Sequence, residues 1–135
     1  MKHLSFFLLL FLTTVGIAQN FDDAWKGLFS HVSVKSITQG NDKLFVGAEN
    51  AVFSFDLSTQ EIKTISTING LSGELISTIY YSEDYRVLFI GYENGLIDVV
   101  IDGEEDVLKV VDILEKPTIP PNRKRINHFY EYNEQ

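Results

Sequence analysis

Cysteine is absent from the 135 residues. No disulfide can staple the fold and no thiolate can hold a metal, so stability must come from burial and strand pairing. A lipoprotein anchor is excluded for the same reason. Positive charge is scarce: 11 Lys and Arg stand against 19 Asp and Glu, a net charge of −8. A chain this acidic lacks the electrostatic footprint of a nucleic-acid binder and is poorly suited to anionic head groups. Histidine is sparse, and His31 and His128 are isolated, so no pair has metal-ligand spacing. No Gly-x-Ser-x-Gly elbow for acyl transfer is present. Proline occurs only at Pro117, Pro120 and Pro121. Long apolar runs are missing too, and the longest, Leu4 to Leu12 broken by Ser5, falls short of the ~20 residues a membrane-spanning helix needs.

That run has another use. Met1-Lys2-His3 is a short basic start, and Gly16-Ile17-Ala18 supplies the small residues a signal peptidase reads. Residues 1–18 read as a secretory signal peptide cleaved after Ala18. The chain is therefore expected in the periplasm or at the outer-membrane cell surface. Losing residues 1–18, with one of the 11 basic residues, leaves 117 residues and moves the net charge to −9. With 44% hydrophobic and 13% aromatic residues, the composition is globular.

What is present is a repeat. Leu44-Phe45-Val46-Gly47-Ala48-Glu49-Asn50-Ala51-Val52 returns 44 residues later as Leu88-Phe89-Ile90-Gly91-Tyr92-Glu93-Asn94-Gly95-Leu96, without a gap. Each copy reads as an apolar strand, a turn and a second apolar strand. Around each copy the pattern supplies two more strands. The first unit has strands from Ser33, over Lys43 to Ala48, Ala51 to Asp56 and Glu61 to Ile65. The second has Leu75 to Ser82, Val87 to Tyr92, Leu96 to Ile101 and Val107 to Ile113. Asn94-Gly95 suits a type I′ turn. Ser66 to Gly73 connects the units, and the proline-bearing stretch Leu114 to Lys124 forbids a central strand. Ile126-Asn127-His128-Phe129-Tyr130 resembles Ile76-Ser77-Thr78-Ile79-Tyr80 and reads as the first strand of a third unit.

Four short antiparallel strands per unit at about 40–50 residues is the pattern of a β-propeller blade. A β-sandwich of eight strands is the rival, but it does not require its halves to be alike. The expected fold is all-β, an incomplete β-propeller of two blades plus the first strand of a third. Its expected divisions are a signal peptide at 1–18, a lead-in at 19–32, blade 1 at 33–73, blade 2 at 74–124, and the start of blade 3 at 125–135. A propeller closes 4–8 blades into a ring. The sequence is therefore expected to be the N-terminal piece of a longer protein.

Few residues suggest chemistry. Arg123-Lys124-Arg125 is the one basic cluster and could contact anionic sugar or phosphate groups through bidentate arginine geometry. A solvated loop is the simpler reading. Glu104-Glu105-Asp106 lacks the alternation of a calcium loop and reads as a solvated turn. Asp98 and Asp102 could be imagined as a glycosidase pair, but Asp98 reads rather as marking a blade's polar face. Trp25, in a lead-in with Phe21, Leu28 and Phe29, is a candidate sugar platform, or packs on the first blade. The lead-in itself reads equally as a short amphipathic helix or an extended segment. Gly47, Glu49, Asn50, Gly91, Glu93, Asn94 and Gly95 read as framework: Asn tolerates positive φ in the turn, and the first glycine of each copy leaves room between blades. No catalytic residue, cofactor or metal site emerges, so a non-enzymatic interaction module is expected.

Gly91-Tyr92-Glu93-Asn94-Gly95-Leu96, with the preceding loop Asn69-Gly70-Leu71-Ser72, resembles the blades of two-component regulator propellers. Together with Ala24-Trp25-Lys26-Gly27-Leu28-Phe29-Ser30, Val34-Lys35-Ser36-Ile37 and Glu49-Asn50-Ala51-Val52-Phe53, it is similar to the N-terminal β-propeller region of the PorZ family of type IX secretion components. That resemblance implies a cell-surface protein working with the sortase-like component of the system, in attaching lipopolysaccharide to secreted cargo. The other resemblance implies a periplasmic sensor propeller of a hybrid two-component regulator. A glycan-binding propeller is the third alternative.

Overall fold

The structure, a computed structural model, describes residues 33–104 and 106–132. The signal peptide, the lead-in with Trp25, and Glu105 lie outside the described residues. The described residues form eight strands: β1 Ser36–Gly40, β2 Lys43–Gly47, β3 Val52–Asp56, β4 Ile62–Ile65, β5 Ile76–Ser82, β6 Val87–Tyr92, β7 Ile97–Ile101 and β8 Val107–Val110. They form two antiparallel sheets in sequence order, β1-β2-β3-β4 and β5-β6-β7-β8. This is an all-β fold, two blades of an incomplete β-propeller, and no sheet closes on itself.

The blades meet through their first strands, β1 against β5. The contact face of β1 is small and polar. The Ser36 hydroxyl donates to the Ile79 carbonyl at 3.4 Å, and the Tyr81 N–H donates to Thr38 Oγ1 at 3.2 Å. Gly40 lies so close to Tyr81 that a Cβ would fall 1.9 Å from the ring. Ile37, on the opposite face of β1, is 58% exposed. Small residues let the backbones of β1 and β5 approach closely, where bulk would hold them apart. The main core lies further out, built from Phe45, Val52, Leu71, Ile76, Ile79, Tyr81, Leu88 and Ile90.

The repeat has a directional meaning. Alternation puts Phe45 and Gly47 of β2 on the face turned to the next blade. A Cβ on Gly47 would lie 3.0 Å from Ile79. In the second copy a Cβ on Gly91 would lie 2.6 Å from Ile126, and Phe89 packs on Phe129 with ring centroids 5.6 Å apart. The segment after Arg125 thus meets blade 2 as β5 meets blade 1. It is not, however, the strand expected there. A strand is a property of pairing, and Ile126–Tyr132 makes no ladder among the described residues; Ile126 N–H donates to the Tyr92 carbonyl at 3.1 Å.

Three local expectations need correction. The copies are not gapless in space: β3 pairs Val52 with Gly47, whereas β7 pairs Ile97 with Gly91. The second hairpin is one residue longer, and the extra residue is Gly95 at φ 92°. Its N–H donates to the Tyr92 carbonyl, giving a three-residue loop with a glycine bulge instead of a type I′ turn. Neither Asn50 nor Asn94 has positive φ; the left-handed pair is Asn41 and Asp42, between β1 and β2. Finally, β8 stops at Val110 and a short helix, α1 (Asp112–Glu115), follows. Ile113 belongs to that helix, where it packs against Gly95.

Candidate functional site

The most enclosed polar group is Asp98, with no exposed surface. It lies on β7 directly across from Ile90, where the register of the first blade places Phe53. Its carboxylate accepts from the Ser72 N–H and the Ser72 hydroxyl, both at 2.7 Å, and from the Tyr92 hydroxyl at 2.6 Å. Asp98 therefore does not mark a polar outer face. It pins the inter-blade connection to the second sheet. The connection is shaped for this by Ser66, which caps the 3₁₀ turn Thr67–Asn69, and by Gly70 at φ 97°. Burial, and then the hydrogen bond to Asp98, push the Tyr92 phenol well above its ordinary range. The network is a structural latch, with every oxygen spent inside the protein.

Asp102 has a different setting and lies apart from any pairing with Asp98. Lys43 from blade 1 approaches it at 3.5 Å and Arg86 from blade 2 at 3.0 Å. The Asn41 side-chain amide donates to it as well. Asn41 N–H donates to Glu83 at 2.8 Å, so the left-handed β1–β2 turn is tied to the next blade's turn. The turns after β1, β3, β5 and β7, two per blade, emerge on this side, and those after β2 and β6 on the other.

Between the sheets, on that side, opens a cleft of about 330 Å³. Phe45, Ile65, Tyr81, Leu88 and Val100 line it, with Lys43, Lys63, Asp56, Glu61, Asp102 and Glu104 around them. Phe45 and Tyr81 stack nearly parallel, 11° apart with centroids at 5.2 Å. The Tyr81 hydroxyl is buried and has no close hydrogen-bond partner among the described residues, although the Arg86 guanidinium stands beside it. An unmatched buried hydroxyl costs about 1–3 kcal/mol. Burial, with Asp102 and Glu83 nearby, raises its pKa above the ordinary value. Asp56 goes the other way. Hydrogen bonds from the Ser58 hydroxyl and from the Thr59 and Ser58 N–H groups lower it to about 2.

The remaining candidates fall elsewhere. Lys124 donates its ammonium to the Leu114 carbonyl, and Arg125 lies 3.5 Å from Glu93. Arg123 ends an exposed 3₁₀ turn. The basic run thus folds back partly onto the second hairpin. The Glu49 carbonyl accepts from Ile76 N–H at 2.9 Å, and Glu93 N–H donates to the Leu75 carbonyl at 3.0 Å. Asn94 Oδ1 caps Leu96 N–H at 3.0 Å, while Asn50 is exposed. No group of three or more His, Cys, Asp or Glu among the described residues is placed to hold a metal.

None of these groups among the described residues assembles into a catalytic arrangement, and the comparison with known proteins rests on the fold. The model of the type IX secretion PorZ N-terminal beta-propeller domain matches residues 44–135. The chain belongs to this family. PorZ of Porphyromonas gingivalis, described as an essential bacterial surface component of the type IX secretion system, superimposes with a TM-score of 0.64 at 25% identity over 73% of this chain. The extracellular domain of the hybrid two component system BT4673 from B. thetaiotaomicron superimposes with a TM-score of 0.50 at 23% identity over 57% of this chain, a likeness of fold alone. This chain spans 13% of the P. gingivalis PorZ chain and 10% of the B. thetaiotaomicron one. No curated protein matches the sequence. The PorZ domain is a structural propeller family and not a known enzyme family. Among the described residues no helix is long and apolar enough to cross a membrane.

The sequence assigned Tyr81 no role, marked Ser72 only within the loop Asn69-Gly70-Leu71-Ser72, and marked Gly40 only as part of a turn. The signal for Gly40 was available, since it precedes an Asn-Asp turn. The partners of Ser72 and Tyr81 lie in other elements, and no local pattern announces them.

Proposed function

We propose that this chain supplies the first blades of a non-catalytic propeller in an exported, PorZ-like type IX secretion protein, which assists the sortase-like component in attaching lipopolysaccharide to secreted cargo. The observation that carries the reading is the family match over residues 44–135. The repeated seating of Gly47 and Gly91 against the next unit supports a scaffold role, because these residues serve blade stacking and not a ligand. On this reading residues 1–18 direct export, blade 1 occupies 33–73, blade 2 occupies 74–124, and a third begins at 125.

The test is co-purification of the full-length protein with the sortase-like component from detergent-solubilised cells. The expected result is a stable complex, with secreted cargo left unmodified when the gene is deleted. Absence of association, together with normal cargo modification in the deletion strain, would overturn the proposal. A transmembrane segment and kinase domains in the downstream coding sequence would instead point to a sensor.

A further inference from the structure

We propose that the cavity between β5, β6 and the segment after Arg125 binds a small, unphosphorylated quaternary ammonium compound. The site grows out of a difference between the two inter-blade contacts. Gly40 ends β1 opposite Lys43, and Ser82 ends β5 opposite Val87. Lys43 and Val87 each precede a copy of the repeat, so Gly40 and Ser82 hold equivalent places. At the first contact the Tyr81 ring of the next blade packs over Gly40. At the second, Glu131 comes to that place instead. Its carboxylate accepts from the Ser82 hydroxyl and from the Tyr80 hydroxyl, each at 3.0 Å. A carboxylate fills less space than a phenol ring. A cavity of about 300 Å³ is left, at the small end of the ~300–1,000 Å³ range of ligand sites.

Five aromatic rings surround it: Tyr80, Tyr85, Phe89, Phe129 and Tyr130. Phe89 and Phe129 pack on each other, whereas Tyr85 and Tyr130 are 72% and 81% exposed and leave their rings open to a ligand. Aromatic faces attract a cation, most strongly where water is excluded. Glu131 adds a full negative charge to the lining, and Asp84 lies near enough to act on the same Tyr80 phenol. Burial, and then the hydrogen bond to Glu131, raise that phenol above its ordinary pKa, so it stays protonated and keeps donating. The polar groups select the kind of cation. The hydroxyl hydrogens of Tyr80 and Ser82 are spent on Glu131, and Ser82 Oγ also accepts from the Tyr85 N–H at 3.3 Å. A sugar or a primary ammonium needs hydrogen-bond partners that these groups no longer supply. A quaternary ammonium carries charge without any N–H to satisfy, so rings and one carboxylate are sufficient. A phosphate on the ligand would meet Glu131 as a like charge. The inference does not depend on the assignment to secretion.

The test is isothermal titration calorimetry of the full-length protein with choline chloride. Saturable binding at one site is expected. The uncharged carbon isostere 3,3-dimethylbutanol should not bind, which separates charge from shape, and phosphocholine should bind more weakly than choline. Joint substitution Tyr85→Leu and Tyr130→Leu, at exposed positions, keeps apolar bulk but removes both rings. It should weaken binding about tenfold with an unchanged melting temperature. The matching Tyr85→Phe/Tyr130→Phe variant keeps the rings and should keep the affinity. Absence of saturable binding, equal binding of the uncharged isostere or of phosphocholine, or affinity unchanged in the Tyr85→Leu/Tyr130→Leu variant would overturn the proposal.

Discussion

A buried carboxylate with three donors is the most consequential residue-scale feature of this chain. Asp98 is stabilised where it stands only because Ser72 and Tyr92 satisfy it. Asp98→Ala would leave a buried Tyr92 hydroxyl and the Ser72 N–H without their acceptor. It is expected to destabilise the fold by about 3 kcal/mol or more, measured by urea denaturation. Its isolation from the surface also removes it from any catalytic pair with Asp102. Asp56 gives the second prediction at this scale. Its folded pKa of about 2 lies below the ordinary carboxylate value of 3.8, so its contribution to stability is present above the latter and is lost as pH falls through the former. Wild type should therefore lose stability relative to Asp56→Asn between about pH 4 and pH 2, with the difference levelling off below that window. Paired thermal melts against pH would read this directly, and parallel curves would refute it.

At the scale of elements, the two hairpins share a plan and differ in one residue. The glycine of β2 and that of β6 both face the next unit, but with different clearance. A Cβ on Gly91 would meet two atoms of Ile126 at 2.6 and 2.7 Å, whereas on Gly47 the nearest approach is 3.0 Å. Gly91→Ala is expected to cost about 1–3 kcal/mol through overpacking. Gly47→Ala should be close to neutral, because the lower entropy of alanine in a strand, about 0.5–1 kcal/mol, offsets mild crowding. Chemical denaturation of the two variants side by side checks the ordering. Element type was legible in the sequence wherever apolar residues alternate, as in β2, β6 and β7. It was misread at Ile113, where apolar residues run on past β8 while the backbone turns into α1. An apolar run fixes burial but not backbone period when it is short. The Asn94-Gly95 pair was misassigned for a related reason. Dipeptide preference names the favoured two-residue turn, but strand register sets the loop length, and here the register adds a residue.

For the whole molecule, the open face of the first sheet dominates. Val34, Val46, Phe53, Phe55 and Ile62 line a shallow apolar depression, and Ile62 is 68% exposed. The corresponding face of the second sheet is covered by blade 1. Phe53 is buried at the inner edge of the depression, while Val34 and Ile62 stand largely in water and each forgo up to about 1.5–3 kcal/mol of burial, a sizeable part of the stability of a small domain. Expressed alone, residues 19–135 are expected to self-associate, with a broad thermal transition. Light scattering coupled to size exclusion checks this, and a monomer with a sharp cooperative melt would count against it. The acidic side with its cleft is also a property at this scale, since it arises only when turns from two blades are brought together.

The sequence by itself determined the blade architecture and the family. Both rest on local periodicity and on a repeat, which survive in a linear string because each strand's alternation reports which side of it is buried. The direction in which each copy faces was decided by tertiary structure, as were the burial of Asp98, the inter-blade tie at Asp102 and the unmatched hydroxyl of Tyr81. Asp98 meets Ser72 from 26 positions away, and Asp102 meets Asn41 of the other sheet from 61 positions away. A hydrogen bond or a cavity at that separation has no period, so nothing along the chain encodes it until the blades stack.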